Sequence, residues 1–565
     1  MSSSSSSGSS TDTADSDERG QDYDDNSYHP PQTKPISPPL IDKRVTVDPL
    51  QTSTATSNPA WHKPERSSPT ITENLDSPMP DDQANLGTFK FRKFFRKRKI
   101  SPEPVKKLRM LIYNALQIAT PTDEMNVRFL AGRAQNHVIE FTDNQRGGVG
   151  LAVDTNGIIE YMGNSMELKE KYEGYEVERY IDATNMTILP GFIDAHTHPI
   201  WAGDRLDQYK DMLERTPEQE QRMPKHRDYE GAIDISINTM HTDDDDIYNS
   251  LVKRLRRMVK SGTTYVECKS GYGLLWGEEV RLLRLLHRAK QQFKNLIDMS
   301  ITYFGGHIRP GIYAGDLSRE IVFKQIPRIK QMREEKSVEV DNIDVYCDTG
   351  VYGIDEAKHI LEAGHEIGLS INFHADELSR MGGTEMGAEI GARAISCLQR
   401  VSNRGMKMMG QKGTIAVLLP AAAHLKRQDF PPARALITQN VPVALGSDFS
   451  PSISCYSMPM VMYIACACMG MTMAESFNAA TLNAAATIDD TRLYGAVAVG
   501  KYADLVLIEA PRWEHIIWQY GNHNDLISYV IKKGKIVKGF QPDSASSSEA
   551  NQPQHDDLDL MDVSD

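Results

Sequence analysis

Short apolar runs and longer amphipathic stretches alternate between about residue 185 and residue 450. The runs end in polar residues, and they are TILPGFIDAHTH, TTYVECKSGYG, MSITYFGGH, IDVYCDTG, LSINFHADE, TIAVLLP and VPVALGSDF. Helical patterns such as DIYNSLVKRLRRMVKSG and EEVRLLRLLHRAKQQF lie between them. Such alternation is typical of parallel strands with crossover helices, and about seven or eight units over roughly 300 residues predict a TIM-like (β/α)8 barrel.

The segments on either side of this region have the pattern of strands joined by turns. LRMLIYNALQIAT is apolar, GGVGLAVDTNGIIEYMG contains hairpin-like turns, and SYVIKKGKIVKGF holds a Lys-Gly-Lys turn between two strand-like runs. We expect residues 107–188 and 499–540 to pair into one small β-sandwich domain, with the barrel spanning 189–498. The fold class is therefore α/β.

The two ends of the chain have a composition typical of disorder. The chain starts with MSSSSSSGSS, and its last 25 residues carry seven acidic side chains and no Lys or Arg. Such segments bury too little apolar surface to offset the entropy of ordering. We therefore predict disordered tails over 1–106 and 541–565.

One stretch of the N-terminal tail is basic and aromatic. FKFRKFFRKRK, residues 89–99, holds seven basic residues and four Phe. It has the composition of a nuclear-import signal or of a basic-aromatic surface anchor. A solvated linker whose Phe residues pack locally explains it equally well.

Composition and charge exclude several classes of protein. The chain has 63 basic and 77 acidic side chains and a net charge of −14, which argues against a general binder of nucleic acid. No apolar stretch is long enough for a membrane span, and the N-terminus lacks an apolar signal region. The six cysteines form no CxxC pair. We expect a cytoplasmic protein without disulfides, in which a metal would need His and carboxylate ligands.

The candidate chemistry lies at the ends of the predicted strands. His196 and His198 are two residues apart on one strand, so both rings point to the same face. Alone, this pair is equally explained by packed or surface histidines. His307, His374 and Asp448 end three further strands, and such groups gathered at one face are costly to desolvate without a cation. The sequence therefore predicts one metal ion, either Zn²⁺ or Fe²⁺.

Glu377 lies three residues after His374, where the strand leaves the barrel. A carboxylate at this rim can orient water and take its proton. The other interpretation is an acid at the start of the next helix. We favour the role of a base.

The motifs also resemble a known family. LPGFIDAHTHPIWAGDR is similar to the first-strand motif of the amidohydrolase superfamily. VECKSGYGL, FHADEL with GGTEMGAEIGA, ALGSDFSPS with SMPMVM, and WEHIIWQYGNHNDLISYVIKKGK resemble the imidazolonepropionases within it. The resemblance covers most of 108–540. It implies hydrolysis of 4-imidazolone-5-propanoate, a small-molecule substrate, to N-formimidoyl-L-glutamate in histidine degradation, and it implies a homodimer.

The resemblance also implies a role for each site residue. One metal ion is held by His196, His198, His374 and Asp448. Arg205 binds the carboxylate of the substrate, Tyr272 and His307 contact its ring, and Glu377 acts on the water and on the ring nitrogen. The implied catalytic residues are Glu377, His307 and Asp448. Without the resemblance, Arg205 is equally explained as a surface ion pair with Asp204 or Asp207, and Tyr272 as a packed aromatic ring.

The sequence departs from the family pattern at several places. Cys397 stands where the family has a histidine, and Ser450 stands where it has an asparagine that contacts the substrate. The region after Arg205 lacks the family's glycine-rich loop. These differences leave two alternatives open: hydrolysis of another small cyclic amide that bears a carboxylate, and a catalytically weakened barrel that acts as an interaction protein.

Overall fold

The computed structural model describes residues 106–143, 147–216, 219, 228–309, 316–488 and 491–539. The basic-aromatic stretch 89–99 and the predicted tails, apart from Lys106, lie outside these residues.

The strands follow the order of the chain. They are β1 (Lys107–Ala115), β2 (Gln117–Thr120), β3 (Ile139–Phe141), β4 (Val149–Val153), β5 (Ile159–Asn164), β6 (Glu176–Asp182), β7 (Thr187–Pro190), β8 (Phe192–Thr197), β9 (Thr263–Lys269), β10 (Asp298–Gly306), β11 (Asn342–Cys347), β12 (Ser370–Ala375), β13 (Ala394–Cys397), β14 (Ile415–Leu418), β15 (Val443–Leu445), β16 (Leu505–Ile508), β17 (Ile527–Lys532) and β18 (Lys535–Lys538).

The α-helices lie mostly between the strands β8 to β16. They are α1 (Ser165–Lys171), α2 (Leu206–Glu214), α3 (Asp228–Met240), α4 (Asp244–Lys260), α5 (Trp276–Phe293), α6 (Leu317–Glu320), α7 (Ile326–Glu334), α8 (Ile354–Glu366), α9 (Gly383–Glu389), α10 (Asn403–Lys412), α11 (Pro420–Leu425), α12 (Ala433–Thr438), α13 (Met458–Met469), α14 (Met473–Ala479), α15 (Leu482–Ala486), α16 (His515–Trp518) and α17 (His523–Leu526). A 3₁₀ turn covers Gly132–Asn136, and a π-helical turn covers Ile321–Gln325.

Strands β8 to β15 form the predicted barrel. Each strand pairs in parallel with the next in the chain, and together they make one eight-stranded sheet. The first and last strands meet where Thr197 bridges Phe449, and the amide of His198 donates to the carbonyl of Phe449 at 2.8 Å. The prediction of a barrel is confirmed, and all its strands open with their carboxyl ends on one face.

The strands near the two ends of the described chain form two smaller sheets. One has the order β5-β4-β1-β6, and the other has the order β18-β17-β16-β7-β2-β3. They share a buried apolar core that includes Ile112, Leu151, Ile188 and Leu505. The predicted Lys-Gly-Lys turn joins β17 to β18, with positive φ values of 47° at Lys533 and 72° at Gly534, which is the geometry that tight hairpin turns require.

The run TILPGFIDAHTH contains two strands that belong to different sheets. Its first half is β7, which pairs antiparallel with β16 through Leu189 and Val506. Its second half is β8, the first strand of the barrel. Gly191 joins them, and its amide donates to the carbonyl of Asp504 at 2.8 Å. The strand that carries His196 and leads directly to His198 is therefore joined to the smaller six-stranded sheet.

The predicted barrel helices form where the apolar period is helical. In α4, Leu251, Leu255 and Met258 are buried at a spacing of three or four residues. Its first turn holds Asp244 to Asp246 and its last turn holds Arg257 and Lys260, which suits the helix dipole. Within the described ranges, none of the helices has the length and apolar character needed to cross a membrane.

Candidate metal and active site

Three histidines meet at the carboxyl ends of the barrel strands. His196 lies on β8, His198 directly follows β8, and His374 lies on β12; the nitrogens they offer all lie within 4.8 Å of one another. All three are buried. Nε2 of His196 is buried and has no hydrogen-bond partner. A buried nitrogen without a partner is costly, so this arrangement fits a group that binds one metal ion.

Asp448 lies beside this group, after β15, the strand that meets β8 where the barrel closes. Its Oδ1 lies 3.4 Å from Nε2 of His198 and 3.7 Å from Nε2 of His196. Two ligands about 2.1 Å from a tetrahedral ion lie about 3.4 Å apart, so these distances suit joint coordination. Asp448 has a φ of 54°, a strained conformation for a residue other than glycine.

Gly446 lets the Asp448 segment approach β8 closely. A Cβ at Gly446 would lie 2.6 Å from Cβ of His196. The amide of Asp448 donates to the carbonyl of His196 at 3.0 Å, and the amide of Ser447 donates to Oδ1 of Asp194 at 2.9 Å. Only glycine fits at position 446, and this contact brings the carboxylate beside the two rings.

Neighbouring side chains set the orientation of two of the rings. Nδ1 of His196 lies 2.8 Å from Oγ of Ser396. Nδ1 of His374 lies 2.9 Å from Oδ2 of Asp344, and Lys269 pairs with the same oxygen at 2.8 Å. With Nδ1 engaged in both rings, Nε2 is left as the ligand atom.

The electrostatic environment keeps the ligands in the form that binds a metal. Burial lowers the pKa of His196 and of His198, so both rings are neutral. Burial raises the pKa of Asp448, but the hydrogen bond from His198 and the charge of Lys426 outweigh this and hold the pKa below its usual range. Neutral imidazoles and an ionised carboxylate are the donor forms that Zn²⁺ and Fe²⁺ accept.

Glu377 lies beside this group and not in a helix. The next helix, α9, begins only at Gly383. The hydroxyl of Tyr346 donates to Oε2 of Glu377 at 2.9 Å, and the thiol of Cys397 donates to the same oxygen at 3.4 Å. Nζ of Lys426 lies 3.7 Å from Oε1. The interpretation of Glu377 as a first-turn helix acid is therefore wrong.

His307 and Tyr272 form an aromatic wall next to His198. The ring of His307 stacks on His198 with centroids 5.8 Å apart, and it meets Tyr272 edge-on at 5.1 Å. Nδ1 of His307 lies 2.9 Å from the carbonyl of Gly271, which can only accept, so Nδ1 carries the proton. Burial lowers the pKa of His307 to about 3. The ring is neutral, and its Nε2 offers a lone pair.

Arg205 lies at the rim, just before α2. Its Nε donates to Gln208 and its NH1 donates to Ser452. Ser450 is buried nearby, and its amide donates to the carbonyl of Ile453 at 3.1 Å. These contacts direct the guanidinium across the mouth of the barrel.

One cavity at the mouth of the barrel brings the candidate residues together. It is lined by Arg205, Tyr272, His307, Glu377, Ser450, Cys397 and three of the four candidate ligands, His198, His374 and Asp448. His196 lies beneath it, fully buried. Phe304, Tyr346 and Lys426 also line the cavity, although no motif had singled them out. Phe304 and Tyr346 lie within runs that were predicted as strands, and Lys426 follows such a run. Their place in the cavity is visible only from the way in which the strands pair.

Comparisons with known proteins agree with this geometry. Residues 187–537 match the model of the amidohydrolase family. The chain is 41% identical over 412 residues to a probable imidazolonepropionase of Nematostella vectensis, which covers 73% of this chain and 94% of that protein. It is 40% identical over 431 residues to a probable imidazolonepropionase of Mus musculus, which covers 76% of this chain and 98% of that protein.

The same fold is found in a more distant solved structure. An adenosine deaminase from Xanthomonas campestris superposes with a TM-score of 0.56 and 15% identity, over 77% of this chain and 94% of that chain. At this level of identity the likeness concerns the fold alone.

Proposed function

The chain belongs to the amidohydrolase family and, within it, to the imidazolonepropionases, and we propose on this basis that it hydrolyses the ring amide of 4-imidazolone-5-propanoate to N-formimidoyl-L-glutamate. The reaction would serve the degradation of histidine. One observation carries the proposal: His198 and His374 of the buried histidine group face one cavity together with Glu377 and Arg205.

The ion that we propose is a single Zn²⁺ or Fe²⁺ held by His196, His198, His374 and Asp448. When bound, such an ion lowers the pKa of water beside it and polarises the carbonyl of the substrate. The ligand set supports either metal, because both accept imidazole nitrogens and a carboxylate oxygen.

Arg205 is the residue that would hold the propionate of the substrate. Its planar guanidinium offers two parallel N–H groups to a carboxylate. Gln208 and Ser452 hold the guanidinium from two sides, which supports a fixed orientation. The carboxylate would then anchor one end of the substrate while the ring lies near the histidines.

Tyr272 and His307 would contact the ring. His307 is neutral and protonated on Nδ1, so Nε2 accepts a hydrogen bond from a ring N–H. Ser450 has a short side chain beside the same cavity and would complete the substrate contacts.

Glu377 would move the proton. It takes a proton from the attacking water, whose oxygen bonds to the carbonyl carbon of the ring. It then returns the proton to the ring nitrogen as the carbon–nitrogen bond breaks, so the oxygen of water ends in the new carboxylate. The hydroxyl of Tyr346, 2.9 Å from Oε2, holds Glu377 in place for both transfers.

The assay is direct. Purified protein loaded with Zn²⁺ or Fe²⁺ is incubated with imidazolonepropionate, and the product is identified by mass spectrometry. We expect turnover by the wild type and none by His374→Ala, with one metal per chain in the wild type by elemental analysis. A protein that binds one metal per chain but leaves the substrate intact would overturn the proposal, and a screen of hydantoins and dihydropyrimidines would then identify the cyclic amide it accepts.

We further propose a homodimer located in the cytoplasm. The dimer rests on the resemblance to the family, and the location is supported by six cysteines that are all free. Light scattering of the purified protein and imaging of the tagged chain test these two points.

A further inference from the structure

Lys426 places a positive charge beside the proposed proton-transfer residue. It follows α11 directly, and its side chain is 21% exposed. Its Nζ lies 3.7 Å from Oε1 of Glu377, whose side chain is only 9% exposed. A carboxylate with so little access to water is costly to keep ionised unless a cation lies close to it.

Two further contacts of the Glu377 carboxylate come from neutral groups. Tyr346 and Cys397 both donate to Oε2, and both donors are neutral groups. Burial raises the pKa of the Cys397 thiol well above its usual value, and the charge of Glu377 raises it further. The thiol therefore stays protonated, and Oε1 faces the ammonium of Lys426.

The positions of Cys397 and Lys426 in the fold are close. Cys397 is the last residue of β13, and β14, the strand that precedes Lys426, pairs with β13 in parallel. A thiol at the end of one strand and an ammonium after the neighbouring strand are thus directed to the same carboxylate.

We propose that Lys426 is a positioning residue for the hydrolysis, which holds the carboxylate of Glu377 in its orientation towards the cavity. The inference rests on the proposed function, because it assumes that Glu377 transfers the proton. Because the proposed action of Lys426 runs through Glu377, its loss should affect turnover more than substrate binding.

The first test is the Lys426→Met variant, which keeps length and removes the charge. We expect kcat to fall about tenfold, the effect on the activation barrier of losing one pair of charges near the reacting group. KM should change less than twofold, and the metal content should stay the same. Lys426→Arg should recover most of kcat. A rise in KM with unchanged kcat, or no change in either constant, would overturn the inference.

A matched control separates this effect from the loss of any half-buried lysine. Lys290 is 22% exposed and pairs with Glu339 at 3.0 Å and Asp341 at 2.9 Å, on the outside of the barrel. Lys290→Met should leave kcat unchanged. If it lowers kcat as much as Lys426→Met does, the effect is one of general stability and the inference fails.

The second test places a chargeable ring beside Glu377, at position 397. Cys397→His in the Lys426→Met background should raise kcat several-fold, and the gain should exceed the effect of Cys397→His when Lys426 is present. If Cys397→His changes kcat equally with and without Lys426, the residues at positions 397 and 426 act independently and do not share a role. Thermal unfolding of each variant confirms that it is folded.

A structural measurement keeps the inference separate from the choice of substrate. In crystals of the Lys426→Met protein without substrate, we expect the carboxylate of Glu377 to have left its position beside Tyr346. If the wild type fails to hydrolyse imidazolonepropionate but this displacement occurs, the proposed function falls and the role of Lys426 stands. If the wild type is active, and Lys426→Met is fully active with Glu377 unmoved, the proposed function stands and the role of Lys426 falls.

Discussion

Asp344 on β11 holds the ring of His374 on the neighbouring strand, with 2.9 Å between Oδ2 and Nδ1. Burial would raise the pKa of Asp344, but the charge of Lys269 and the hydrogen bond with His374 outweigh it and bring the pKa to about 2. The carboxylate is therefore ionised and fixed, and it directs Nε2 of His374 towards the other candidate ligands.

Replacing Asp344 by Asn should weaken metal binding. The amide cannot match the charged hydrogen bond that orients His374, and such partners are typically worth about 10- to 100-fold in metal affinity. Competition with a chelator, followed by elemental analysis, measures the change. Asp245→Asn on the exposed surface of α4 is the control, and equal affinity in all three proteins would contradict the prediction.

Arg205→Lys should impair substrate binding. An ammonium makes one point contact where the guanidinium makes two parallel hydrogen bonds, so we expect KM to rise about tenfold with a smaller change in kcat. The loss should be absent with a substrate analogue whose carboxylate is replaced by a neutral amide. Equal losses with both compounds would place Arg205 outside the carboxylate site.

Glu377→Gln should abolish most of the turnover. The amide is nearly isosteric and keeps a partner for Tyr346, but it cannot accept a proton, so kcat should fall about 10²- to 10⁴-fold. Metal content and KM should stay close to those of the wild type. Retention of more than a tenth of the activity would assign the proton transfer to another group.

A buried ion-pair cluster should stabilise the junction of the barrel and the smaller sheets. Asp298, the first residue of β10, pairs with Lys532 of β17 at 2.6 Å and with Lys533 at 2.8 Å, and the hydroxyl of Tyr494 donates to it at 2.8 Å. Lys532 is fully buried, and in Asp298→Asn it keeps one acidic partner of this cluster, Asp504. We expect a loss of about 3 kcal/mol in the free energy of unfolding.

The pH dependence of this loss has a definite sign. Burial raises the pKa of Asp298, but Lys532 and Lys533 outweigh burial and hold it below the usual value of 3.8. The stabilisation is therefore complete above that value and is lost as the pH falls through the lowered pKa. In urea unfolding, the difference between the wild type and Asp298→Asn should be full at about pH 6 and should shrink below about pH 4. A constant difference would exclude an ionic origin.

The barrel and the convergence of the candidate ligands were predictable because strand ends in a parallel barrel share one face. His196, His198, His374 and Asp448 each end a run whose pattern is visible in the sequence. Their supporting residues gave no such signal. Asp344 lies inside the apolar run IDVYCDTG and Tyr346 is two residues further on, and their roles depend on the register that pairs Tyr346 with His374.

Other features depend on contacts that no local pattern contains. Lys426 follows a short helix, and nothing in AAAHLKRQ points to Glu377, which is distant in the chain. Pro190 and Gly191 can mark a break in this run, but the pairing of β7 with β16 is what shows that its two halves belong to different sheets. The roles of the site residues stay predictions for the experiments above.

The direct connection of β7 to β8 through Gly191 affects the order of events during synthesis. One neighbour of β7 is β16, which the ribosome makes more than 300 residues later, and Asp448 also follows long after His196. A nascent chain therefore has two of its histidines before it has the strand that anchors them or the acid that faces them. Binding of the proposed ion would consequently be a late event, after most of the polypeptide has been made.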